Sequence, residues 1–515
     1  MRSSSRLATV IAVCLLTVAC SAGAPYQLPG GTPAPVDHHR PPPPPPPPPP
    51  PHEPPAATAA PPIDNSFEDA GVNPYLDPGR DPLSTFAMDV DTASYSVARR
   101  YIEDGRLPPF EAVRLEEFVN AFDYGYAAPR QGAFAVHVDG GPTPFSGRSL
   151  LVRIGIQSMV IPDEERSPVS LTFVIDTSGS MQMENRLGLV QEALAILVAG
   201  LGPHDSVAIV EFGTEARIVL HPTSAAEPDA ILRAVWSLAA DGSTNAQGGL
   251  ELGYQVAELG HREGARDRVV LASDGVANVG LTDADSILRL IDRQVAAGID
   301  LVSVGVGMGN FNDVLLEQLA NRGNGFYAYI NDRSEAERLF GRDLTSTLHT
   351  VARDAKVQVQ FLPEAVARYR LLGYENRALH DDDFRDPTVD AGEVGAGHSV
   401  TALYEVELLD GRSDGLLGSI SLRWHTPDSA REDQLTQEIS LHNLATDYES
   451  TESGFQLAAT VAAFAEILRE SPHARGYRLS DVAHEADIVA RWFRGQQDVE
   501  DFRWLVEQAS RIQGR

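Results

Sequence analysis

The sequence predicts an α/β fold over residues 166–352, a doubly wound, mostly parallel sheet. A small N-terminal α+β module (83–165) and a C-terminal antiparallel β-domain with closing helices (353–515) flank it. Three observations predict this. Four short runs, Leu171–Ile175, Ser206–Phe212, Arg268–Ser273 and Leu301–Gly305, are nearly continuous in apolar residues, as strands covered on both faces must be. Segments of helical periodicity alternate with them, the pattern of parallel strands joined by crossover helices. From about Lys356 the apolar period shortens to two, which marks strands with one face on a core.

Residues 1–19 read as a secretion signal. Arg2 and Arg6 supply the positive start, and Leu7–Ala19 is an apolar run of 13 residues, too short to span a bilayer as a retained helix. Thr17-Val18-Ala19-Cys20 resembles the bacterial lipoprotein cleavage box, in which the cysteine receives the lipid. The alternative is ordinary secretion with a cysteine that lies nearby. Cys14 and Cys20 are the only cysteines, so no disulfide holds any domain after cleavage. Ser21 after the cysteine favours the outer membrane, by resemblance to Gram-negative lipoproteins, with the face it is displayed on left open.

Residues 20–82 read as a disordered, proline-rich stalk. Pro41–Pro51 is unbroken proline, which cannot join a sheet or sustain a helix. In polyproline II, at about 3.1 Å per residue, that run alone holds the body roughly 34 Å from its anchor. A recognition segment for another domain is the alternative. The formal charge of −31 over 515 residues argues against nucleic acid as a partner, since binding there rests on neutralising phosphates.

In the module that follows, a strand is expected over Thr85–Val90 and helices over Thr92–Glu103 and Phe110–Phe122. Strands are expected at Phe134–Val138 and Ser149–Ile156, and Asp89 and Asp91 read first as helix caps. In the central domain Ala216–Leu220 is an edge strand and Gly325–Ile330 a short last one. Helices fit Arg186–Ala199, Pro228–Leu238, Ala246–Leu259, Ala284–Ala297 and Phe311–Asn321; the first carries a stripe at Leu187, Val190, Leu194 and Ile196–Leu197. Farther on, Val357, Val359 and Phe361, then Tyr369–Tyr374, His398–Leu409 and Gly418–Trp424, read as antiparallel strands. Helices return at Ser453–Glu470 and Asp481–Arg511, and the polar close of the second is expected to pack along the surface.

The sharpest chemical feature is Asp176-Thr177-Ser178-Gly179-Ser180, directly after a buried strand. Turns at the C-terminal ends of parallel strands are where open α/β sheets place ligands. Asp176 offers a carboxylate, and Ser178 and Ser180 offer hydroxyls that an extended turn can aim at one point. All-oxygen donors suit a hard cation, Mg2+ above all, with Mn2+ or Ca2+ as alternatives. Two further loops belong at the same edge. In Asp241-Gly242-Ser243-Thr244-Asn245 the Thr244 hydroxyl is the natural donor, and in Ser273-Asp274-Gly275 Asp274 supplies a second carboxylate.

Asp-x-Ser-x-Ser with a distal Thr and a distal Asp-Gly resembles the metal-ion-dependent adhesion site of von Willebrand factor type A domains, over roughly 169–330. The resemblance implies that Asp176, Ser178, Ser180 and Thr244 surround the cation, with Asp274 coordinating directly or through water. It also implies a protein ligand that presents an acidic side chain to the open position. Ser273 stands where many members have threonine. Outside this domain, Thr85-Phe86-Ala87-Met88-Asp89-Val90-Asp91-Thr92-Ala93-Ser94-Tyr95, Leu107-Pro108-Pro109 and Arg114-Leu115-Glu116-Glu117-Phe118 resemble the N-terminal module of one group of bacterial type A lipoproteins. Leu372-Gly373-Tyr374-Glu375-Asn376-Arg377, Asp390–His398 and Val400–Glu405 resemble that group's C-terminal domain.

Other chemistries fit less well. No Gly-x-Ser-x-Gly elbow surrounds the serines, and the loop lacks the glycine-rich run and lysine of a phosphate loop. Gly305-Val306-Gly307-Met308-Gly309 follows the fourth parallel strand, not the first, so no nucleotide is expected. His398 with Asp386 and Asp390 reads as a polar turn before a second metal site, and Asp381-Asp382-Asp383 as a solvated loop. The expectation is a cation-dependent adhesion or scaffold lipoprotein of the bacterial envelope and no enzyme. The alternative is a structural envelope protein whose metal serves stability only.

Overall fold

The computed structural model describes residues 67–145, 147–162, 164–275, 281–307, 313–342, 348–389, 391–412, 414–427 and 431–514. The expected signal, Cys20 and the proline run lie outside these residues.

Five elements precede the central domain: β1 (Leu83–Ala87), α1 (Ala93–Glu103), α2 (Leu115–Asn120), β2 (Phe134–Pro142) and β3 (Leu150–Ser158). The helix expected over 110–122 is broken. Ser94 draws the chain away from helical geometry there, because its hydroxyl accepts the Arg114 N–H at 2.8 Å and donates to the Ala112 carbonyl at 2.6 Å. Only a 3-10 turn, Phe110–Ala112, precedes α2.

The central domain contains β4 (Val169–Asp176), α3 (Arg186–Gly200), β5 (Ser206–Phe212), β6 (Ala216–Ser224), α4 (Pro228–Trp236) and α5 (Ala246–Gly260). It continues through β7 (Arg266–Ser273), α6 (Leu281–Ala296), β8 (Ile299–Val306), α7 (Asp313–Arg322), β9 (Tyr327–Ile330) and α8 (Arg333–Glu337). Its six strands run in the order β6-β5-β4-β7-β8-β9, parallel except for the antiparallel β5–β6 pair. The apolar side chains of β4 divide between the two faces. Leu171, Phe173 and Ile175 join the core under α3, α4 and α8, while Val174 joins the core under α5, α6 and α7. Burial on both faces is why these strands read as unbroken apolar runs.

After it come β10 (Thr350–Phe361), β11 (Val366–Leu372), β12 (Gly392–Gly395), β13 (Ser399–Leu408), β14 (Leu416–His425) and β15 (Glu432–Ser440). The helices α9 (Ser453–Leu468), α10 (Leu479–Val489) and α11 (Gln497–Gln513) close the chain. The last expected helix is therefore two helices. The close of the second is not superficial, since Val499, Phe502, Leu505, Val506 and Ala509 are buried against α9 and α10.

The flanking segments are not two modules. β1 pairs antiparallel with β10, in a sheet ordered β1-β10-β14-β15 with β12 also on β10. β3 lies between β2 and β13 in a sheet ordered β11-β13-β3-β2. Phe86, Val152, Ile154 and Ile156 share one core with Val357, Val359, Val400 and Tyr404. A period-two strand buries its apolar face only against a second sheet, and each segment supplies part of both. The boundary expected at 353 falls inside β10, and the central domain is an insertion in one sandwich. Its two ends leave and re-enter side by side: the Ser158 hydroxyl donates to the Gly395 carbonyl at 2.7 Å, and Thr350 pairs with Gly395. Nor does the expected stalk extend to 82. The Asn73 amide donates to the Leu371 and Gly373 carbonyls, and Leu76 and Tyr369 exchange backbone hydrogen bonds.

Insertion and sandwich are joined through buried charge. Arg377, just after β11, meets Asp89 at 3.2 Å, Asp91 at 3.0 Å and Glu317 of α7 at 3.2 Å. Asp91 also accepts the Tyr327 N–H of β9 at 2.9 Å. These aspartates are not helix caps. The residue before α1 is Thr92, which makes no side-chain cap, and both carboxylates turn instead to the guanidinium. Burial, reinforced by the Asp89 charge, pushes the Asp91 carboxyl well above the usual range against the pull of Arg377. Arg377→Met strands these carboxylates without a counter-charge. It is expected to cost about 3–5 kcal/mol, read as a lower urea midpoint; a loss under about 1 kcal/mol shows that the cluster supports nothing.

His349, at the re-entry into β10, is 2% exposed. Burial, with the positive charges of Arg266, Arg166 and Arg268, pushes its imidazole down to about 4. The unfolded chain, with an ordinary histidine near 6.5, then binds the proton first as pH falls. Stability is full above about 6.5, declines through the window to about 4 and is lost by up to about 3 kcal/mol below it. His349→Gln is expected to flatten that part of the stability profile, measured by thermal melts from pH 4 to 7.

Candidate metal centre

β4 ends in Asp176, which is fully buried, and the turn that follows folds back on it. The Ser178 N–H donates to Asp176 Oδ1 at 2.8 Å, and the Ser273 hydroxyl at the end of β7 donates to Oδ2 at 2.7 Å. Both carboxylate oxygens are thus oriented from two neighbouring strands. Ser178 Oγ and Ser180 Oγ lie 3.0 Å apart.

The loop before α5 is drawn to the same edge. The Gly179 N–H donates to the Gly242 carbonyl at 3.0 Å, and the Asp241 N–H donates to the Thr177 carbonyl at 2.7 Å. From the other side the Asn245 N–H donates to the Gly213 carbonyl, just past β5, at 2.9 Å. Gly242 has φ +84°, and a Cβ on it would sit 2.4 Å from Thr214 Oγ1, so a side chain here is both strained and crowded. Thr244 is half-buried between these anchored points. The three loops expected to meet therefore do meet, at the C-terminal edge of β4, β5 and β7.

Asp274 is 3% exposed and is already engaged. Arg186, the first residue of α3, donates from Nη1 to its Oδ2 at 2.6 Å. Sequence reasoning missed Arg186. The available signal was a cation in the first turn of a helix, where the macrodipole disfavours it, so that a nearby carboxylate is called for. Gly307, in the segment with the superficial dinucleotide pattern, makes room for that guanidinium: a Cβ there would lie 2.1 Å from Arg186 Nε. Met308 and Gly309 lie outside the described residues.

Burial pushes the Asp176 carboxyl up to about 6. Hydrogen bonds from Ser273 and Ser178 oppose the rise and the Asp274 charge adds to it. A carboxylate that burial disfavours in this way gains from a cation placed beside it. The hydroxyl pair fits one. Two oxygens each about 2.1 Å from Mg2+ and at right angles lie about 3.0 Å apart, the separation of Ser178 Oγ and Ser180 Oγ. Among the described residues no three His, Cys, Asp or Glu side chains gather to hold a metal. A set here would have to draw on hydroxyls as well as carboxylates.

The other candidates have structural work. His398 accepts the Ser158 N–H on its carbonyl and sets its ring edge-on to Phe326, and burial pushes its imidazole down to about 4. Asp386 accepts from Thr388, and Asp390 lies outside the described residues. The acidic run is solvated as expected, with Asp381 and Asp382 exposed, while Asp381 also accepts from Thr85 Oγ1 at 2.7 Å and Asp383 caps its own turn.

Residues 170–342 match the profile of the von Willebrand factor type A domain, and residues 62–153 one described as von Willebrand factor. Residues 346–512 match the profile described as "Uncharacterized protein YfbK, C-terminal". The Escherichia coli (strain K12) protein described as "Uncharacterized protein YfbK" is 38% identical over 411 residues, covering 77% of this chain and 70% of that one. The chain belongs to the YfbK family. A Synechocystis protein, sll0103, is 29% identical over 62% of this chain and 78% of its own length. Bovine inter-alpha-trypsin inhibitor heavy chain H4 is 27% identical over 40% of this chain and 23% of its own. Among solved structures, a von Willebrand factor type A protein from Catenulispora acidiphila aligns with TM-score 0.43 and 16% identity, over 72% of this chain and 89% of that one. Type A domains typically mediate protein–protein interactions and are generally not enzymes. In this YfbK family member the type A domain is set into a sandwich that the N- and C-terminal segments build together.

Proposed function

We propose that this chain is a divalent-cation-dependent protein-binding lipoprotein of the bacterial envelope. One observation carries the reading: the Ser178 and Ser180 hydroxyls lie 3.0 Å apart beside buried Asp176, with the 241–245 loop hydrogen-bonded across them. Asp176, Ser178, Ser180 and Thr244 would hold the cation, Mg2+ first and Mn2+ or Ca2+ as alternatives, with Asp274 beside them. When bound, the cation supplies an electrostatic seat for an acidic side chain of a partner protein. The chain's own residues do the rest. Ser273 and the Ser178 N–H fix the carboxylate of Asp176, and the buried setting strengthens each charge–charge attraction over its value in water.

The test compares the mature chain with Asp176→Ala. Mg2+ is expected to raise the melting temperature of the wild type, and envelope proteins captured in Mg2+ are expected to elute with EDTA. The variant is expected to lose both effects with an unchanged far-ultraviolet spectrum. Capture that ignores EDTA and the substitution ends the binding mechanism; a melting effect without any capture assigns the metal to stability.

Cys20 would carry the acyl anchor, and the proline run would carry the body away from it, most simply at the outer membrane. Labelling with an alkyne fatty acid is expected to mark the wild type and not Cys20→Ala; equal labelling moves the anchor elsewhere.

A further inference from the structure

Arg186 occupies an unfavourable place for a cation. It opens α3 at the positive end of the helix dipole, and both it and Asp274 are 3% exposed. A buried ion pair of this kind adds little net stability over apolar groups of the same volume. Yet the chain reserves space for it, at a glycine with φ +73° whose Cβ would overlap the guanidinium. The pair also takes up Oδ2 of Asp274, one of the two carboxylates that would face the cation.

The charge balance shows what this does. Asp176 and Asp274 alone would cancel the two charges of a divalent cation and leave it with little pull on an outside anion. With the fixed charge of Arg186 included, these three side chains and the cation sum to one positive unit. We infer that Arg186 is a positioning residue that weakens the chain's own hold on the cation and leaves the loaded site in need of an external carboxylate. Cation and acidic ligand then bind cooperatively, and each is held poorly alone. The inference rests on the cation site proposed above and adds to it the order of affinities.

Mn2+ serves as the cation and acetate as the carboxylate, with free Mn2+ counted by electron paramagnetic resonance in titrations of the mature chain. The wild type is expected to bind one Mn2+ weakly, and acetate to tighten it severalfold; by reciprocity the cation tightens acetate equally. Arg186→Gln keeps a hydrogen-bond donor toward Asp274 and removes the charge. It is expected to bind Mn2+ about tenfold more tightly and to lose most of the acetate effect. Arg186→Lys keeps the charge and is expected to behave as the wild type does. Gln-variant affinity equal to or weaker than wild type overturns the inference. So does an absence of any acetate effect in the wild type, which decides the matter even if the Gln variant does not fold. Failure of the underlying site looks different: no stoichiometric Mn2+ binding in the wild type that Asp176→Ala removes.

Discussion

Arg377 could not be buried where it is without three carboxylates around it, and those carboxylates come from two distant parts of the chain. Asp89 and Asp91 precede α1, and Glu317 lies in α7 of the inserted domain. A guanidinium taken out of water demands nearly complete compensation, so sandwich and insertion meet in one arrangement. A second buried network continues from it. Arg370 of β11 meets Glu405 of β13 at 2.9 Å and Glu466 of α9 at 3.1 Å, and Arg469 pairs with Glu466 and with Glu375, two residues before Arg377. Buried charges therefore tie the sheets, the closing helices and the inserted domain to the short stretch from Arg370 in β11 to Arg377 just after it.

This mounting explains how a six-stranded domain sits within another fold without a long linker. Both ends of the insertion are held at Gly395, and α1 packs its Ala93 and Val97 into the insertion's own core. The candidate metal edge borders this junction through Arg100 of α1, which meets Glu184 at 3.4 Å. Its loops are shaped by backbone hydrogen bonds among themselves and by Gly242, so the geometry of the hydroxyl pair is set locally.

Much of the inserted domain was legible because its strands are buried on both faces, and an unbroken apolar run followed by Asp-x-Ser-x-Ser has few other readings. The convergence of Asp176, Ser178 and the 241–245 loop followed from strand order. Elsewhere the local signal misled. β15, Glu432–Ser440, went unread because its Glu-Asp-Gln-Leu-Thr-Gln-Glu run is an exposed edge strand with hardly an apolar face. The close of α11 seemed superficial from its charges, yet Phe502 and Leu505 are the residues that bury it. Asp89 and Asp91 had the right place for caps, and only the arrival of Arg377 from nearly three hundred residues away turned them elsewhere.

The amino-acid sequence by itself determined the strand–helix alternation and the oxygen-rich turn after β4, because each depends on neighbours a few residues apart. Tertiary structure alone decided that β1, β2 and β3 share sheets with strands about 240 to 280 residues later, and that Arg186 stands against Asp274. Pairing between strands and between buried charges is a matter of what else needs covering or compensating, and that demand has no fixed distance along the chain.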